Sequence, residues 1–386
     1  MDPTRYFPSI WLTEIGLQMS FEGLNLKGST GVALRNGGLF HTNPCDAEGA
    51  SAAAFASTVQ APPVLVRPPS CAPAWALALA ALGLLVSARA AARLAAWLYA
   101  ALLRPARPLR RRYGAWAVVT GATDGIGRAL ASRLAAAGLG LVLVGRDPGN
   151  LAAVSADIEA RRPGTQVRTF VLDFAAADGL AARVDALGEF LRGLDVGVLV
   201  NSAGVCYPYA RYFHEVDEAL LCNLIRVNVE AVTRVTHAVL PGMVERRRGA
   251  IVNIGSAASA VLPSDPFYTV YVATKAYVDQ FSRCLYVEYR SKGIDVQCQV
   301  PMFVATKMTS ITNPSFAPSP ETYAQAAIRC IGYEPRLTPY SPHALQCLLI
   351  STVHESIADR MLLNRSLDIR AKGRAKDAKK KESSGD

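Results

Sequence analysis

Ala115-Trp116-Ala117-Val118-Val119-Thr120-Gly121-Ala122-Thr123-Asp124-Gly125-Ile126-Gly127 is the stretch that decides the fold of this chain. A β-branched run meets three glycines and then a helical pattern that continues from Arg128 to Gly138. Strand, turn and helix in that order aim backbone N–H groups and the positive end of a helix dipole at one point. Glycine lets a diphosphate approach the backbone there. Gly121, Thr123, Asp124, Gly125, Ile126 and Gly127 are therefore candidate contacts for a dinucleotide. The spacing Gly-x-x-x-Gly-x-Gly differs from the commoner Gly-x-Gly-x-x-Gly, and such a turn also occurs without a ligand. The rest of the chain has to decide.

Working outward, strand-like runs recur at Ala115–Thr120, Gly140–Val144, Gln166–Leu172, Val196–Asn201, Ala250–Ile254 and Asp295–Val300, with helical stretches such as Asn150–Arg161 and Asp217–Val239 between them. Continuous Val/Ile/Leu strands alternating with helices predict an α/β fold, a Rossmann-type doubly wound parallel sheet with right-handed crossovers. Gly138 and Gly293 suit helix C-terminal caps. Ligands bind such sheets at the carboxyl ends of the strands. The second strand ends in Arg146-Asp147, where a guanidinium suits a ribose 2′-phosphate and a carboxylate suits a 2′-hydroxyl; Arg146 favours NADPH. Asp173, at the end of the third strand, is a candidate acceptor for the adenine amino group. Asn201-Ser202-Ala203-Gly204 closes the fourth, making Asn201 and Ala203 candidate cofactor contacts.

The most specific signal is Ser256, just beyond a strand end, followed by Tyr271 and Lys275. Residues four apart share one helix face, and an ammonium beside a phenol is expected to lower the phenol's pKa. That makes Tyr271 a candidate acid near neutral pH.

The ends of the chain read differently. Residues 1–70 show no sustained periodicity and are expected to be disordered. Residues 71–112 hold two apolar runs and then a basic segment. One tilted span, a re-entrant hairpin, and a span followed by an interfacial helix all fit a membrane anchor there. Arg104, Arg107, Arg110, Arg111 and Arg112 contribute five of the ten net positive charges, and residues 370–386 contribute four. The rest is nearly neutral, which disfavours a nucleic-acid partner; basic segments beside membrane lipid fit better. The eight cysteines and five histidines are dispersed, which points to reduced thiols and no metal site. The domain plan is an extension over 1–70, an anchor over 71–112, a catalytic domain over 113–368 with a substrate-covering insertion near 308–345, and a basic tail over 369–386. Within the insertion Met308, Ile311, Phe316, Tyr323 and Ile328 are candidate walls of an apolar tunnel, or packing of a small helix onto the sheet.

The glycine turn, Asn201-Ser202-Ala203-Gly204, Ser256 and Tyr271-x-x-x-Lys275 together resemble the short-chain dehydrogenase/reductase family from about Trp116 to Thr306. That resemblance implies that Ser256 polarises a carbonyl, Tyr271 donates a proton, and Lys275 binds the ribose and depresses the tyrosine pKa. It implies that Asn228, in Ile225-Arg226-Val227-Asn228-Val229, holds a water in a proton relay, although Asn228 also suits a helix bend whose backbone it satisfies. Val304 and Thr306 are implied nicotinamide contacts, with Met302 standing where the family has glycine. The stretches Asn253–Ser259, Pro266–Tyr271 and Gly293–Pro301 are similar to the plant-type microsomal very-long-chain 3-oxoacyl-CoA reductases. Membership there implies NADPH-dependent reduction in fatty-acid elongation, a long-chain acyl-CoA substrate, elongase subunits or a second copy of the chain as partners, and an endoplasmic reticulum membrane location with the catalytic domain in the cytosol. A 17β-hydroxysteroid dehydrogenase-like activity and a non-catalytic scaffold in an elongase complex are the alternatives.

Overall fold

The computed structural model of the protein describes residues 73–309 and 317–384. The expected extension over 1–70, and Ile311 and Phe316 of the expected tunnel, lie outside the described residues. The chain divides into two units, Ser9–Trp97 and a body that begins at Leu98.

In the first unit the described residues form α1 (Ala74–Leu98), none of it buried. With the π-turn Tyr99–Leu103 it gives one 28-residue stretch, Ala74–Ala101, long and apolar enough to cross a membrane. At about 1.5 Å per residue it exceeds the roughly 30 Å of a hydrocarbon core. The two apolar runs of the sequence are thus one helix.

The body starts with a short helix, α2 (Leu109–Tyr113), and seven strands: β1 (Trp116–Thr120), β2 (Gly140–Gly145), β3 (Val167–Val171), β4 (Val196–Asn201), β5 (Gly249–Ile254), β6 (Ile294–Gln299) and β7 (Arg336–Leu337). Between and after them run α3 (Gly125–Ala136), α4 (Pro148–Arg161), α5 (Leu180–Leu191), α6 (Glu218–Ile225), α7 (Ala231–Glu245), α8 (Ala257–Ala260), α9 (Thr269–Tyr289), α10 (Pro320–Arg329), α11 (Ser341–Ser351) and α12 (Glu355–Ser384). All strand pairs are parallel, in the order β3-β2-β1-β4-β5-β6-β7. Chain direction across the sheet reverses between β1 and β4, the place where doubly wound sheets bind ligands.

The expected strands are all present, β4 with the expected ends and the others shifted by a residue at one or both ends, and β7, only two residues long, carries no sequence signal. Alternate residues of β1 feed two cores. Ala117 and Val119 pack with α3, α4 and α10, while Val118 packs with α5 and α7. Each fully buried Val or Leu contributes about 1.5–3 kcal/mol, so continuous apolar strands need helices on both faces.

Of the two roles expected for them, Tyr323 and Ile328 take the packing one: both belong to the core between α10 and the sheet, and Tyr323 is fully buried. Two expectations change here. The boundary between 368 and 369 falls inside α12, whose far half docks on the body. Arg370 pairs bidentately with Glu215, and Asp377 accepts from the Tyr209 hydroxyl at 2.6 Å. The stretch 217–239 is broken by a π-turn at Arg226–Glu230.

The arginines after α1 are also committed to the body. Arg104 pairs with Glu334 at 2.5 Å and lies 4.4 Å from the centre of the Tyr333 ring. Arg107 and Arg112 reach Asp295 at 3.9 and 3.3 Å, and Arg110 donates to Gly138 O at 2.6 Å. Four of the five expected lipid-facing cations thus fasten the entry segment to the protein.

Candidate active site

The glycine turn is built for close approach. Gly121 and Gly125 sit at φ +65° and +53°, the left-handed region that side chains avoid. A Cβ on Gly127 would lie 2.2 Å from Gly121 O, so α3 can start this close to β1 only with glycine there. Asp124 caps α3, accepting from Gly125 N at 2.8 Å, and pairs with Lys307 at 3.1 Å. Thr120 Oγ1 accepts from Ser202 N at 3.1 Å and Ala203 N at 3.2 Å, tying the ends of β1 and β4 together across the reversal point. Ala203 thereby lies against Gly121, and Ile126, half-buried, packs on the α3 side of the sheet.

At the end of β2 the methyl of Thr123 faces Gly145. Asp147 caps α4, accepting from Asn150 N at 2.8 Å. Arg146 is exposed and has no side-chain partner among the described residues. The carboxylate is occupied and the guanidinium is open, a donor set that fits a 2′-phosphate better than a 2′-hydroxyl. Asp173 accepts from Ala175 N at 3.0 Å and is half-buried beside this edge.

Two expected cofactor residues turn inward. Asn201 Nδ2 donates to Asn253 Oδ1 at 2.8 Å and Thr236 Oγ1 at 3.0 Å, deep in the sheet. Val304 is 2% exposed and part of the core. Only their backbones remain for a ligand. The polar end of β4 and the loop position of Val304 suggested more, because sequence does not say which way a side chain points. Thr306 does reach the glycine turn, its methyl lying against Gly125.

The four expected catalytic residues are brought together by α9 and its neighbours. Tyr271 and Lys275 lie one turn apart near its start. Lys275 Nζ donates to Ile254 O at 2.9 Å, which holds α9 to the end of β5 and sets Lys275 beside Ser256. Ser256 caps α8, accepting from Ala258 N at 3.2 Å. Asn228, at the π-turn, accepts from Val205 N at 2.8 Å and donates to Val205 O at 2.9 Å and Thr274 Oγ1 at 3.0 Å. Its side chain is fully used, so it holds the loop after β4 and the start of α9 in place. Any water it serves must bond to its backbone, which the π-turn distorts away from regular helix pairing.

Electrostatics depart from the sequence expectation. Burial pushes the Tyr271 phenol above its ordinary value, and the neighbouring Cys206 and Asp265 add to the rise while Ser256 opposes it. Lys275, with its Nζ 5.9 Å from the Tyr271 ring centre, does not reverse this. Burial also lowers Lys275 to about 8. With no ligand bound, Tyr271 is a protonated acid at neutral pH, as a phenol ordinarily is, and desolvation makes its proton harder to release to water.

The structure adds groups the sequence did not single out. Asp265, in the loop before α9, is raised to about 6 by burial, with Arg365 of α12 opposing. Arg365 lies 4.2 Å from the Phe303 ring centre, and Ser264 donates to Asp359 at 2.5 Å, so α12 closes over the loops that follow β5 and β6. His343 of α11 is fully buried, accepts from Met302 N at 3.4 Å, and is lowered to about 4 by burial. A lone histidine far along the chain gave no signal of this contact.

With this geometry, the similarity to known proteins can be placed. A family model described as short chain dehydrogenase matches residues 115–315. The chain is 48% identical over 268 residues to a very-long-chain 3-oxoacyl-CoA reductase-like protein of Arabidopsis thaliana, covering 68% of this chain and 84% of the relative. It is 42% identical over 261 residues to the human very-long-chain 3-oxoacyl-CoA reductase, covering 67% and 81%. Among solved structures it is similar to a short-chain dehydrogenase from Sphingobium yanoikuyae in complex with NADPH, at TM-score 0.52 and 28% identity, covering 62% of this chain and 96% of that one.

Proposed function

Because the chain belongs to the short-chain dehydrogenase/reductase family, we propose that it reduces very-long-chain 3-oxoacyl-CoA to 3-hydroxyacyl-CoA in fatty-acid elongation, with NADPH as its cofactor. The observation that carries the reaction type is the joint placement of Ser256, Tyr271 and Lys275 at the carboxyl end of β5, beside the glycine turn. The identity to reductases of 3-oxoacyl-CoA carries the substrate.

NADPH supplies a hydride to the C3 carbonyl carbon when bound. The α3 amino end and the turn Gly121–Gly127 hold its diphosphate, Arg146 its 2′-phosphate, and Asp173 and the Ala203 backbone border its adenosine half. The Ser256 hydroxyl and the Tyr271 phenol hydrogen-bond the carbonyl oxygen, and both bonds strengthen as negative charge develops there. Tyr271, protonated at neutral pH, transfers its proton to that oxygen. Lys275 then offsets the phenolate charge and binds the ribose hydroxyls, while the Asn228 backbone would hold the water through which a proton returns to Tyr271 by way of Lys275.

The acyl-CoA substrate and α1 support a location at the endoplasmic reticulum membrane, with the reductase body on the cytosolic side. The arginine-rich entry segment supports that orientation, since cations flanking a span favour the cytosol. Elongase subunits are the natural partners of a chain acting on an elongation intermediate. The steroid reading keeps the chemistry and changes the substrate. NADPH oxidation by the full chain, with a long-chain 3-oxoacyl-CoA against an oxosteroid, separates them. Turnover of the acyl-CoA alone is expected; turnover of the steroid alone contradicts the assignment, and turnover of neither with NADPH bound brings back a scaffold.

A further inference from the structure

The elbow formed by α11 and the first turns of α12 presents an apolar surface that the body does not use. Leu345, Leu348 and Leu349 of α11 are 49%, 49% and 58% exposed, and Val353, Ile357 and Met361 that follow are 40%, 55% and 65% exposed. Spacings of three and four residues put the three leucines on one face of α11 and Ile357 and Met361 on one face of α12, with Val353 in the turn between the two helices. The other faces hold the elbow down. His343 bonds Met302 N and Cys347 packs beside Val300, while Ala358, Ser366 and Arg370 of α12 are buried. Single exposed leucines are ordinary, but six large apolar side chains along one elbow are not.

We propose that this elbow is a second membrane-contact surface, lying in the headgroup–acyl boundary of a lipid bilayer and setting the mouth of the substrate site against lipid. Three observations select lipid over a second copy of the chain. The chain carries a helix long and apolar enough to cross a bilayer. Arg104, just after that helix, is clamped to Glu334 immediately ahead of β7, and α11 begins just beyond β7; the entry segment and the elbow therefore share one edge of the sheet. Farther along α12, Lys372, Arg374, Lys376 and Lys379 are exposed, a cationic set that complements anionic headgroups. His343 of α11 bonds Met302 in the loop that runs on to Thr306, whose methyl lies against Gly125 of the glycine turn. A very long acyl chain costs about 0.8 kcal/mol per methylene to bring into water, so a mouth against the bilayer removes that barrier. This last consequence rests on the acyl-CoA reading; the lipid contact does not.

The test uses the full chain in vesicles of phosphatidylcholine and phosphatidylserine, with Leu349, Met361 or Val287 replaced singly by photo-reactive p-benzoylphenylalanine. Val287, 65% exposed on α9, is the control. Lipid adducts at positions 349 and 361, several-fold above the control, are expected. Adducts to a second copy or to residues 1–72, or lipid adducts no more frequent than at the control, overturn the proposal. This readout needs no turnover, so it fails or succeeds independently of the activity. A Leu349→Glu, Met361→Glu double variant should then raise KM several-fold for a bilayer-delivered long-chain substrate and leave kcat on a water-soluble short-chain 3-oxoacyl-CoA unchanged. An unchanged KM overturns the role in substrate entry.

Discussion

Two polar clusters lie side by side at the carboxyl ends of β4 and β5, and they are built on opposite rules. In one, Asn201 donates to Asn253 and Thr236, Asn253 donates to Ser282 at 2.9 Å, and Ser282 donates to Val278 O at 2.6 Å. Each of these side chains is bonded to another protein group, and of their polar atoms Asn201 Oδ1 is the one left buried without a partner. In the other, Tyr271 and Lys275 are desolvated and shifted in pKa, and Ser256 beside them is half-buried and bonded as a helix cap. A buried polar group that spends its hydrogen bonds inside the protein stabilises the fold. One that keeps them open at a strand end is available for a substrate. Arg146 and Asp147 repeat the contrast at β2, the acid spent on a helix cap and the guanidinium open.

The comparison predicts that losses in the open cluster appear in chemistry and losses in the closed cluster appear in stability. Ser256→Ala should lower kcat by about 10²–10³, the usual cost of one oxyanion donor. NADPH affinity and Tm should hold; a variant that unfolds instead would move Ser256 into the closed class. For Lys275 the sign follows from its lowered value of about 8 against an ordinary 10.5. Between those values the unfolded chain holds a proton that the native chain has released, so stability should rise with pH through that window, by at most about 3 kcal/mol. Denaturant titrations at either end of the window read this rise, and Lys275→Met should flatten it. Asn253→Ala strips an acceptor from Asn201 and a donor from Ser282, and should cost about 1–3 kcal/mol of stability. Its folded fraction should keep near-normal kcat, and a large kcat loss at unchanged Tm would break the distinction. Smallest, Arg146→Ala should cut the preference for NADPH over NADH by about tenfold, near 1.4 kcal/mol. An unchanged preference removes Arg146 from the phosphate.

Much of this was legible in sequence because it rests on local constraint. The glycine turn needs Gly121, Gly125 and Gly127 for steric reasons, and Tyr271 and Lys275 share a face by helical period alone. The parallel sheet followed from uninterrupted apolar strands. What was not legible depends on direction and on distant partners. Asn201 and Val304 sit at the expected positions in the chain, yet their side chains point into the core. The arginines after α1 looked like lipid contacts because their acidic partners, Asp295 and Glu334, lie about two hundred residues away. The sign of the Tyr271 shift was misjudged because pairing with Lys275 is visible in sequence, whereas burial is not. The same holds for the end of α12, which reads as a basic tail beside membrane lipid and whose docking depends on Glu215 and Tyr209.

The central claim is that Tyr271, left open at the strand end, is the proton donor. The most direct test measures NADPH-dependent turnover of a long-chain 3-oxoacyl-CoA by Tyr271→Phe, alongside its NADPH affinity and Tm. The account predicts a loss of about 10³-fold or more in kcat, with affinity and Tm within error of the parent chain. Turnover that survives with NADPH bound normally would show that another group delivers the proton and would contradict the account.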